Sequence, residues 1–236
     1  MFEWIATPEG WIAFATLTAL EIVLGIDNII FISILAGRLP EQQRDFGRTV
    51  GLGLAMATRL ILLFSIVWVV GLTEPWFSIF GRDVSGRDII MIGGGLFLLA
   101  KATHEIHNNL EGVGEHKETP KSVSLSGVLF QIAILDIVFS LDSVITAVGL
   151  AQHISIMAIA VVVSVGVMMF AAKPIGEFVE HHPTIKILAL SFLIMVGFTL
   201  VLEGFDIHVP KGYIYFSMAF SVSVEMLNLR LRKKIS

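Results

Sequence analysis

The chain has 236 residues, of which 55% are hydrophobic and only 15% are charged, and its mean hydropathy is +0.83. A water-soluble domain of this composition could not cover its apolar side chains, so we expect an integral membrane protein in contact with lipid. The net charge of −4 and the lack of a long basic run before the C-terminus argue against nucleic acid as a partner. The absence of cysteine excludes disulfides, thiol nucleophiles and thiolate metal ligands.

Seven stretches of the sequence are apolar enough to cross a bilayer as helices, each of which needs about 20 residues. They lie near 11–36, 49–71, 88–106, 125–150, 153–172, 184–202 and 213–229. The sequence therefore predicts an all-α membrane protein with seven transmembrane helices in a single domain, residues 1–236. Its only long polar connector, 107–124, is expected to be a solvated cytoplasmic linker.

The distribution of Lys and Arg predicts the orientation of the chain, because cytoplasmic loops are enriched in these residues. With seven spans, Arg82, Arg87 and Lys211 fall on one side, Arg59 falls inside the second span, and the other twelve basic residues fall on the opposite side. We therefore expect an outside N-terminus and a cytoplasmic C-terminus. The beginning of the chain lacks the positive segment of a cleaved signal peptide, so the first helix is expected to be retained.

One acidic motif occurs twice, as LEIVLGIDNII at 20–30 and LDIVFSLDSVI at 135–145, with five of eleven positions identical. Because two further spans separate the copies, the second copy enters the membrane from the opposite side, as in the inverted repeats of secondary transporters. We predict an inverted 3+3 repeat with one C-terminal helix added. Repeat one is about 11–106, repeat two about 125–202, and the added helix about 213–229.

The two motifs would bring four carboxylates, those of Glu21, Asp27, Asp136 and Asp142, to the middle of the membrane. One isolated Asp costs about 2.5–3.5 kcal/mol there, so these acids should be protonated, paired with a cation or bound to metal. Arg59 is a candidate counter-ion, and the alternative for its side chain is snorkelling or a water-filled cavity.

Helix geometry limits how one ion could contact both acids of a motif. Six residues of continuous helix set the two acids about 120° apart. We expect a kink or unwinding in the middle of each motif, at Gly25 and Ser140, an antiparallel crossing, or both together. Such a crossing would set Glu21 level with Asp142, and Asp27 level with Asp136.

Carboxylate and amide oxygens without thiolates suit a hard divalent cation such as Mn²⁺, Mg²⁺ or Ca²⁺. The candidate metal ligands are the acids of both motifs and the small polar residue that follows each second acid. They are Glu21, Asp27, Asn28, Asp136, Asp142 and Ser143. The structural alternative is that the second acids and their polar neighbours only form hydrogen bonds between helices. The surplus negative charge could carry protons in exchange for metal. Glu225, in the last helix, could serve as a relay acid or contact a polar neighbour at a helix end.

The motifs EIVLGIDNIIF and LDIVFSLDSVITAVG, together with FDIHVPKGYIYF and VEMLNL near the C-terminus, resemble the TerC family of bacterial integral membrane proteins. The resemblance covers nearly the whole chain and is closest to compact seven-span members. It implies an inner-membrane protein that exports Mn²⁺ as its substrate, with no permanently bound cofactor. It also implies that the six candidate ligands are the matching positions of the acidic motifs.

Other functions are possible for such a chain. A non-transporting subunit of a tellurium-resistance or membrane-protein assembly complex would not require the intramembrane acids. An intramembrane aspartyl protease would need a Gly-x-Gly-Asp motif, and an ATP-driven pump would need a nucleotide motif, but the sequence contains neither. We therefore expect no enzymatic activity. The sequence does not specify an oligomeric state.

Overall fold

The computed structural model describes residues 3–79, 81–111, 124–150 and 154–235. Within these residues a short 3-10 helix, Glu3–Ala6, precedes eight α-helices and a two-stranded sheet between the third and fourth helices. The helices are α1 (Pro8–Ala36), α2 (Glu41–Phe64), α3 (Ile66–Gly71), α4 (Gly86–Glu111), α5 (Leu125–Leu150), α6 (Ile154–His181), α7 (Pro183–Gly204) and α8 (Lys211–Ile235). The strands are β1 (Pro75–Ile79) and β2 (Arg82–Ser85).

Local sequence explains where several helices begin, end or break. Thr7 caps α1 by accepting a hydrogen bond from the backbone N–H of Gly10, and proline opens both α1 and α7, where its missing N–H is harmless. Ser65 separates α2 from α3. Pro174 lies inside α6 and removes one backbone hydrogen bond from it. The second helix of each predicted repeat therefore carries an irregularity near its C-terminal end.

All seven predicted spans coincide with helices, and α2 together with α3 covers the second. Within the described part of the chain, five helices are long and apolar enough to cross a membrane, namely α1, α2, α4, α6 and α7, and the segment Leu125–Leu141 of α5 is a shorter apolar helix. The prediction of an all-α membrane protein is confirmed. The helices α2 and α6 extend beyond the apolar stretches that predicted them, because charged side chains near their ends can reach the polar interface.

An antiparallel hairpin of β1 and β2 lies between α3 and α4, and hydropathy did not predict it because its strands are too short to leave a span-length signal. Gly81 in its turn has a φ of +76°, a conformation that glycine adopts without a steric penalty. Trp76 and Phe77 are exposed on β1. Aromatic side chains in such positions are typical of the membrane interface.

The chain divides into two compact units, and each contains helices from both predicted repeats. The first unit comprises Met1–Arg87 and Pro120–Glu177, with α1, α2, α3, the hairpin, α5 and α6. Within it, α5 packs along α2 and contacts α1 and α3. The second unit comprises Asp88–Thr119 and Phe178–Ser236, with most of α4, all of α7 and α8, and contacts between α7 and α8.

Glycines allow close helix approach in both units. In the first unit, a Cβ on Gly25 would overlap the Cε atom of Met168 and lie 2.6 Å from its Sδ atom. In the second unit, a Cβ on Gly95 would lie 2.6 Å from the carbonyl oxygen of Gly197. Close approach through small residues is a common way for helices to associate inside a membrane, where the hydrophobic effect does not drive helix contacts.

Candidate functional site

Arg59 of α2 holds the first acids of the two motifs together. Its Nη1 atom donates to Oε2 of Glu21 at 2.6 Å, and its Nε atom donates to Oδ1 of Asp136 at 3.2 Å. All three residues are buried, with exposed fractions of 4% for Arg59, 3% for Asp136 and 8% for Glu21. Arg59 is therefore a counter-ion of the motif carboxylates and does not snorkel. We call Glu21, Arg59 and Asp136 the Arg59 triad.

Two hydroxyl groups complete the surroundings of Asp136. Thr58 Oγ1 donates to Oδ2 of Asp136 at 2.6 Å, and Ser140 Oγ donates to the same oxygen at 3.3 Å. Among the described residues, only the Arg59 guanidinium donates a hydrogen bond to Glu21. Asp136 therefore accepts more hydrogen bonds than Glu21.

With both carboxylates ionised, the Arg59 triad would carry two negative charges and one positive charge, and therefore one negative charge in excess. Removing one member of a buried ion pair typically costs about 3–5 kcal/mol, because the remaining charge stays in a poorly polarisable medium. The triad thus links α1, α2 and α5 strongly. It also leaves this point in the helix bundle with a net attraction for cations.

The other predicted ligands lie on the same two helices. Asn28 is seven residues after Glu21, two helical turns along the same face of α1, and only 5% of it is exposed. Its Nδ2 atom has no hydrogen-bond partner among the described residues, which is unusual for a buried amide. Asp27 lies on α1, and Asp142 and Ser143 lie on α5, but their side chains fall outside the described part of the structure. Their part in a cation site stays a prediction.

The helices α1 and α5 run without interruption through Gly25 and Ser140, so the predicted unwinding at these positions is wrong. The main chain there keeps its helical hydrogen bonds and offers no carbonyl ligands. Arg59 of α2 joins Glu21 to Asp136. The prediction that Glu21 lies level with Asp142 stays a prediction, because the side chain of Asp142 is outside the described part of the structure.

A metal site cannot be assembled from the described side chains alone. Among them, no group of three or more His, Cys, Asp or Glu residues is arranged to hold a metal ion. Glu21 and Asp136 nevertheless present oxygens to a single positive group, the Arg59 guanidinium. Carboxylates that share one cation can also be bridged by another cation of suitable size, so their chemistry fits a hard divalent ion.

A second charged cluster joins α2 to α6 and was not predicted. Asp45 contacts Nη1 of Arg48 through Oδ1 at 3.1 Å and Nζ of Lys173 through Oδ2 at 3.2 Å. Arg48 is 4% exposed and lies 11 residues before Arg59, which places both arginines on the same face of α2, about 16 Å apart along the axis. The spacing of three helical turns in the sequence was the signal that could have linked them.

Glu225 forms a polar contact at the end of a helix. Its Oε1 atom accepts a hydrogen bond from Thr184 Oγ1 at 2.6 Å, and its Oε2 atom accepts one from Asn228 Nδ2 at 3.2 Å. Thr184 is the second residue of α7, so this contact lies level with the beginning of that helix. Of the two roles open for Glu225, the structure supports the contact with a polar neighbour at a helix end.

Comparisons with known proteins relate the sequence of the chain to one family. The family described as "Integral membrane protein TerC family" matches residues 6–236. The chain is 61% identical to a UPF0053 protein of Haemophilus influenzae over 99% of both chains. It is 60% identical to the UPF0053 inner membrane protein YgdQ of Escherichia coli, over 99% of this chain and 98% of the relative. It is 50% identical to the UPF0053 inner membrane protein YoaE of Escherichia coli, over 98% of this chain and 45% of that longer relative.

No solved structure matches the chain. The family match and the similarity to these relatives each extend over almost the entire sequence, including both acidic motifs and Arg59. The chain therefore belongs to the TerC family of integral membrane proteins.

Proposed function

We propose that this protein is a multi-pass transporter of the bacterial inner membrane that exports a hard divalent cation, with Mn²⁺ as the expected substrate. The observation that carries the proposal is the Arg59 triad, in which related acids from two copies of one motif meet inside apolar helices. Ionisable side chains buried within a membrane typically mark ion pathways, because they are expensive to keep there without a function. Relatives that are named inner membrane proteins support the inner membrane location.

The proposed architecture has seven spans arranged as an inverted 3+3 repeat with α8 added, an outside N-terminus and a cytoplasmic C-terminus. Equivalent helices support it, since α1 and α5 have 29 and 26 residues and carry the motifs, and α4 and α7 have 26 and 22. The division into units also supports it. The first unit holds the first and second helices of both repeats, and the second unit holds the third helices.

In the proposed mechanism, the cation enters from the cytoplasm and is held between α1 and α5. The ligands are Glu21, Asp27, Asn28, Asp136, Asp142 and Ser143. The buried Nδ2 atom of Asn28, which has no hydrogen-bond partner among the described residues, supports a polar site next to Asp27 on α1. The cation leaves on the outer side when one repeat rocks against the other. The cation is the transported substrate, and no permanent cofactor is involved. Protons are the proposed exchanged ions. The transport step requires no bond-breaking chemistry.

The proposal is tested by efflux from vesicles that contain the purified protein and are loaded with Mn²⁺. We expect Asp27→Asn and Asp142→Asn each to reduce the initial efflux rate by about tenfold or more, since each removes one charged ligand worth about 1.5–3 kcal/mol. The matched control is Asp206→Asn in the loop after α7. Asp206 has a φ of 56°, which Asn also tolerates, so this variant should export at the parent rate.

Normal export by both motif variants would overturn the proposed site. If the parent protein moves no divalent cation in these vesicles, the transport function itself is lost, and a non-transporting subunit becomes the better explanation. Repeating the assay with Mn²⁺, Mg²⁺, Ca²⁺ and Fe²⁺ gives the selectivity, and imposing a pH gradient shows whether protons drive the flux.

A further inference from the structure

The Arg59 triad places a positive group on the two acids that the proposed function assigns to the substrate. Arg59 contacts Glu21 at 2.6 Å and Asp136 at 3.2 Å, and these two contacts come from adjacent nitrogens of one guanidinium. The side chains of Arg59 and Asp136 are 5% and 3% exposed. Water therefore does not compensate these charges, and the carboxylates depend on Arg59.

A divalent cation and a guanidinium cannot occupy the same carboxylate oxygens at the same time. Both are positively charged, and two cations forced onto one pair of acids in a poorly polarisable interior would repel each other strongly. Empty carboxylates are equally unfavourable, because two buried negative charges with no cation nearby cannot both remain ionised at low cost. The acids therefore need a compensating cation, or protons of their own, at every stage of a transport cycle.

We propose that Arg59 and the transported divalent cation bind Glu21 and Asp136 alternately. This inference rests on the proposed function and adds to it the identity of the group that fills the site when substrate is absent. In the carrier without substrate, the Arg59 guanidinium neutralises the charge of the acids. It releases the carboxylates when the divalent cation binds. The empty carrier can then return across the membrane without leaving either acid unpaired.

The neighbours of the triad support a role for Arg59 alone as the resident cation. Among the described residues, the other polar contacts of the two acids are with uncharged hydroxyls, those of Thr58 on α2 and Ser140 on α5. The sequence of α3, which contacts α5, has no ionisable residue. From α6, the thioether of Met168 lies at Gly25, one turn along α1 from Glu21. Among the described residues, no second Lys, Arg or His contacts either acid.

The same helix provides a matched control. Arg48 lies on the same buried face of α2, is also 4% exposed, and is likewise paired with a carboxylate, that of Asp45. It lies about 16 Å along the helix axis from Arg59. Neutralising Arg48 therefore removes a buried positive charge from the same helix without removing a competitor from Glu21 and Asp136.

The test is the affinity of the purified full-length protein for Mn²⁺, measured by the loss of the free-ion electron paramagnetic resonance signal in nanodiscs. If Arg59 competes with the substrate, Arg59→Gln should bind Mn²⁺ about tenfold more tightly than the parent, because close charge pairs are coupled by at least this amount. Arg48→Gln should bind near the parent value. Arg59→Lys, which keeps a competing charge, should bind Mn²⁺ more weakly than Arg59→Gln.

A second pair of variants covers the case in which Arg59→Gln does not fold. In Glu21→Gln the remaining Asp136 and Arg59 form a neutral pair, and Glu21→Gln with Arg59→Gln leaves one acid with its two hydroxyl donors. We expect the double variant to bind Mn²⁺ about tenfold more tightly than Glu21→Gln. Affinity that is unchanged or weaker on removal of Arg59, in either background, would overturn the inference. If the parent binds and exports Mn²⁺ in that case, only this inference fails, whereas a parent that does neither overturns the proposed function.

Discussion

At the scale of single residues, Thr58, the neighbour of Arg59 in the chain, also stabilises a carboxylate of the Arg59 triad. Its hydroxyl donates to Asp136 at 2.6 Å and also approaches the carbonyl oxygens of Leu54 and Ala55 on its own helix. Its single hydrogen favours the carboxylate, which is the nearest of these acceptors and the one that can carry a charge. Thr58 therefore contributes a hydrogen bond to a charged group, which is stronger than one between neutral groups.

We predict that Thr58→Val, which keeps the shape of the side chain, lowers the free energy of unfolding by about 1.5–3 kcal/mol. The reason is that one oxygen of a buried carboxylate loses its shortest hydrogen bond. The matched control is Thr49→Val on the same helix, where an exposed hydroxyl bonds only the main-chain oxygen of Asp45. Unfolding in mixed micelles with increasing dodecyl sulfate measures both variants, and equal losses would contradict the role of Thr58.

Gly25 and Met168 form a second residue-scale pair. The terminal atoms of Met168 occupy the space that a side chain on Gly25 would need, and Met168 is only 2% exposed. The thioether end is flexible and can shift at modest cost, whereas a larger group would force the helices apart.

We predict that Gly25→Leu abolishes cation efflux from vesicles, because the leucine displaces Met168 within the motif that carries Glu21. Gly25→Leu combined with Met168→Ala should recover stability, since the second change vacates the space that the first one fills. The single change Met168→Ala provides the control for the cavity. If the double variant is no more stable than Gly25→Leu, the two residues are not coupled in this way.

At the scale of helices, the closest crossing of α4 and α7 depends on backbone contact. A Cβ on Gly95 would lie 2.6 Å from the carbonyl oxygen of Gly197 and 2.8 Å from Cγ2 of Val201. Main chain cannot move aside as a side-chain end can, so this crossing tolerates only glycine at Gly95. Two residues away on the same helix, Gly93 has no neighbour within 4 Å of a Cβ placed on it.

The two glycines of α4 give opposite predictions for the same substitution. Gly95→Ala should lower the free energy of unfolding by about 1–3 kcal/mol, because it forces α4 and α7 apart. Gly93→Ala should leave it unchanged or raise it by up to about 1 kcal/mol, the usual preference for Ala in a helix. Unfolding in mixed micelles measures the free energy of unfolding of both variants. A loss of stability in Gly93→Ala as large as that in Gly95→Ala would contradict the close crossing.

Sequence reasoning reached part of this architecture, and the limits have physical causes. Hydropathy predicted helices where the seven apolar stretches lie because it averages apolar character over a span-length window, and the repeated motif identified Glu21 and Asp136 because it occurs twice. Neither signal carries information on how the helices pack against one another. The contact of Gly25 with Met168 depends on how α6 lies on α1, and the hairpin of β1 and β2 has too few residues to influence a span-length average.

The geometry of the candidate site was predictable only in part for the same reason. A charged residue inside a span made Arg59 a candidate counter-ion, but its two partners depend on the crossing of α1 and α5, which helix spacing alone does not determine. The expected unwinding at Gly25 and Ser140 followed from placing both acids of one motif on a single ion. Arg59 joins acids from different motifs, and this arrangement does not require the helix to unwind.

At the scale of the whole molecule, the absence of cysteine allows a direct test of the proposed topology. Single cysteines replacing Glu74 and Ile207, both exposed, should react with a membrane-impermeant maleimide added to intact spheroplasts. Cysteines replacing Asn108 and Leu231, also exposed, should react only after permeabilisation. Labelling of either pair from the other side would contradict the orientation, and labelling of Leu231→Cys from outside would contradict the crossing by α8.

The order in which the Arg59 triad is synthesised has a consequence for biogenesis. Glu21 and Arg59 both belong to the first quarter of the chain, whereas Asp136 follows more than seventy residues after Arg59. When α1 and α2 leave the translocon, Glu21 and Arg59 can therefore enter lipid as a neutral pair. The second acid of the Arg59 triad arrives only with α5, and its attraction to the guanidinium favours packing of α5 against α1 and α2.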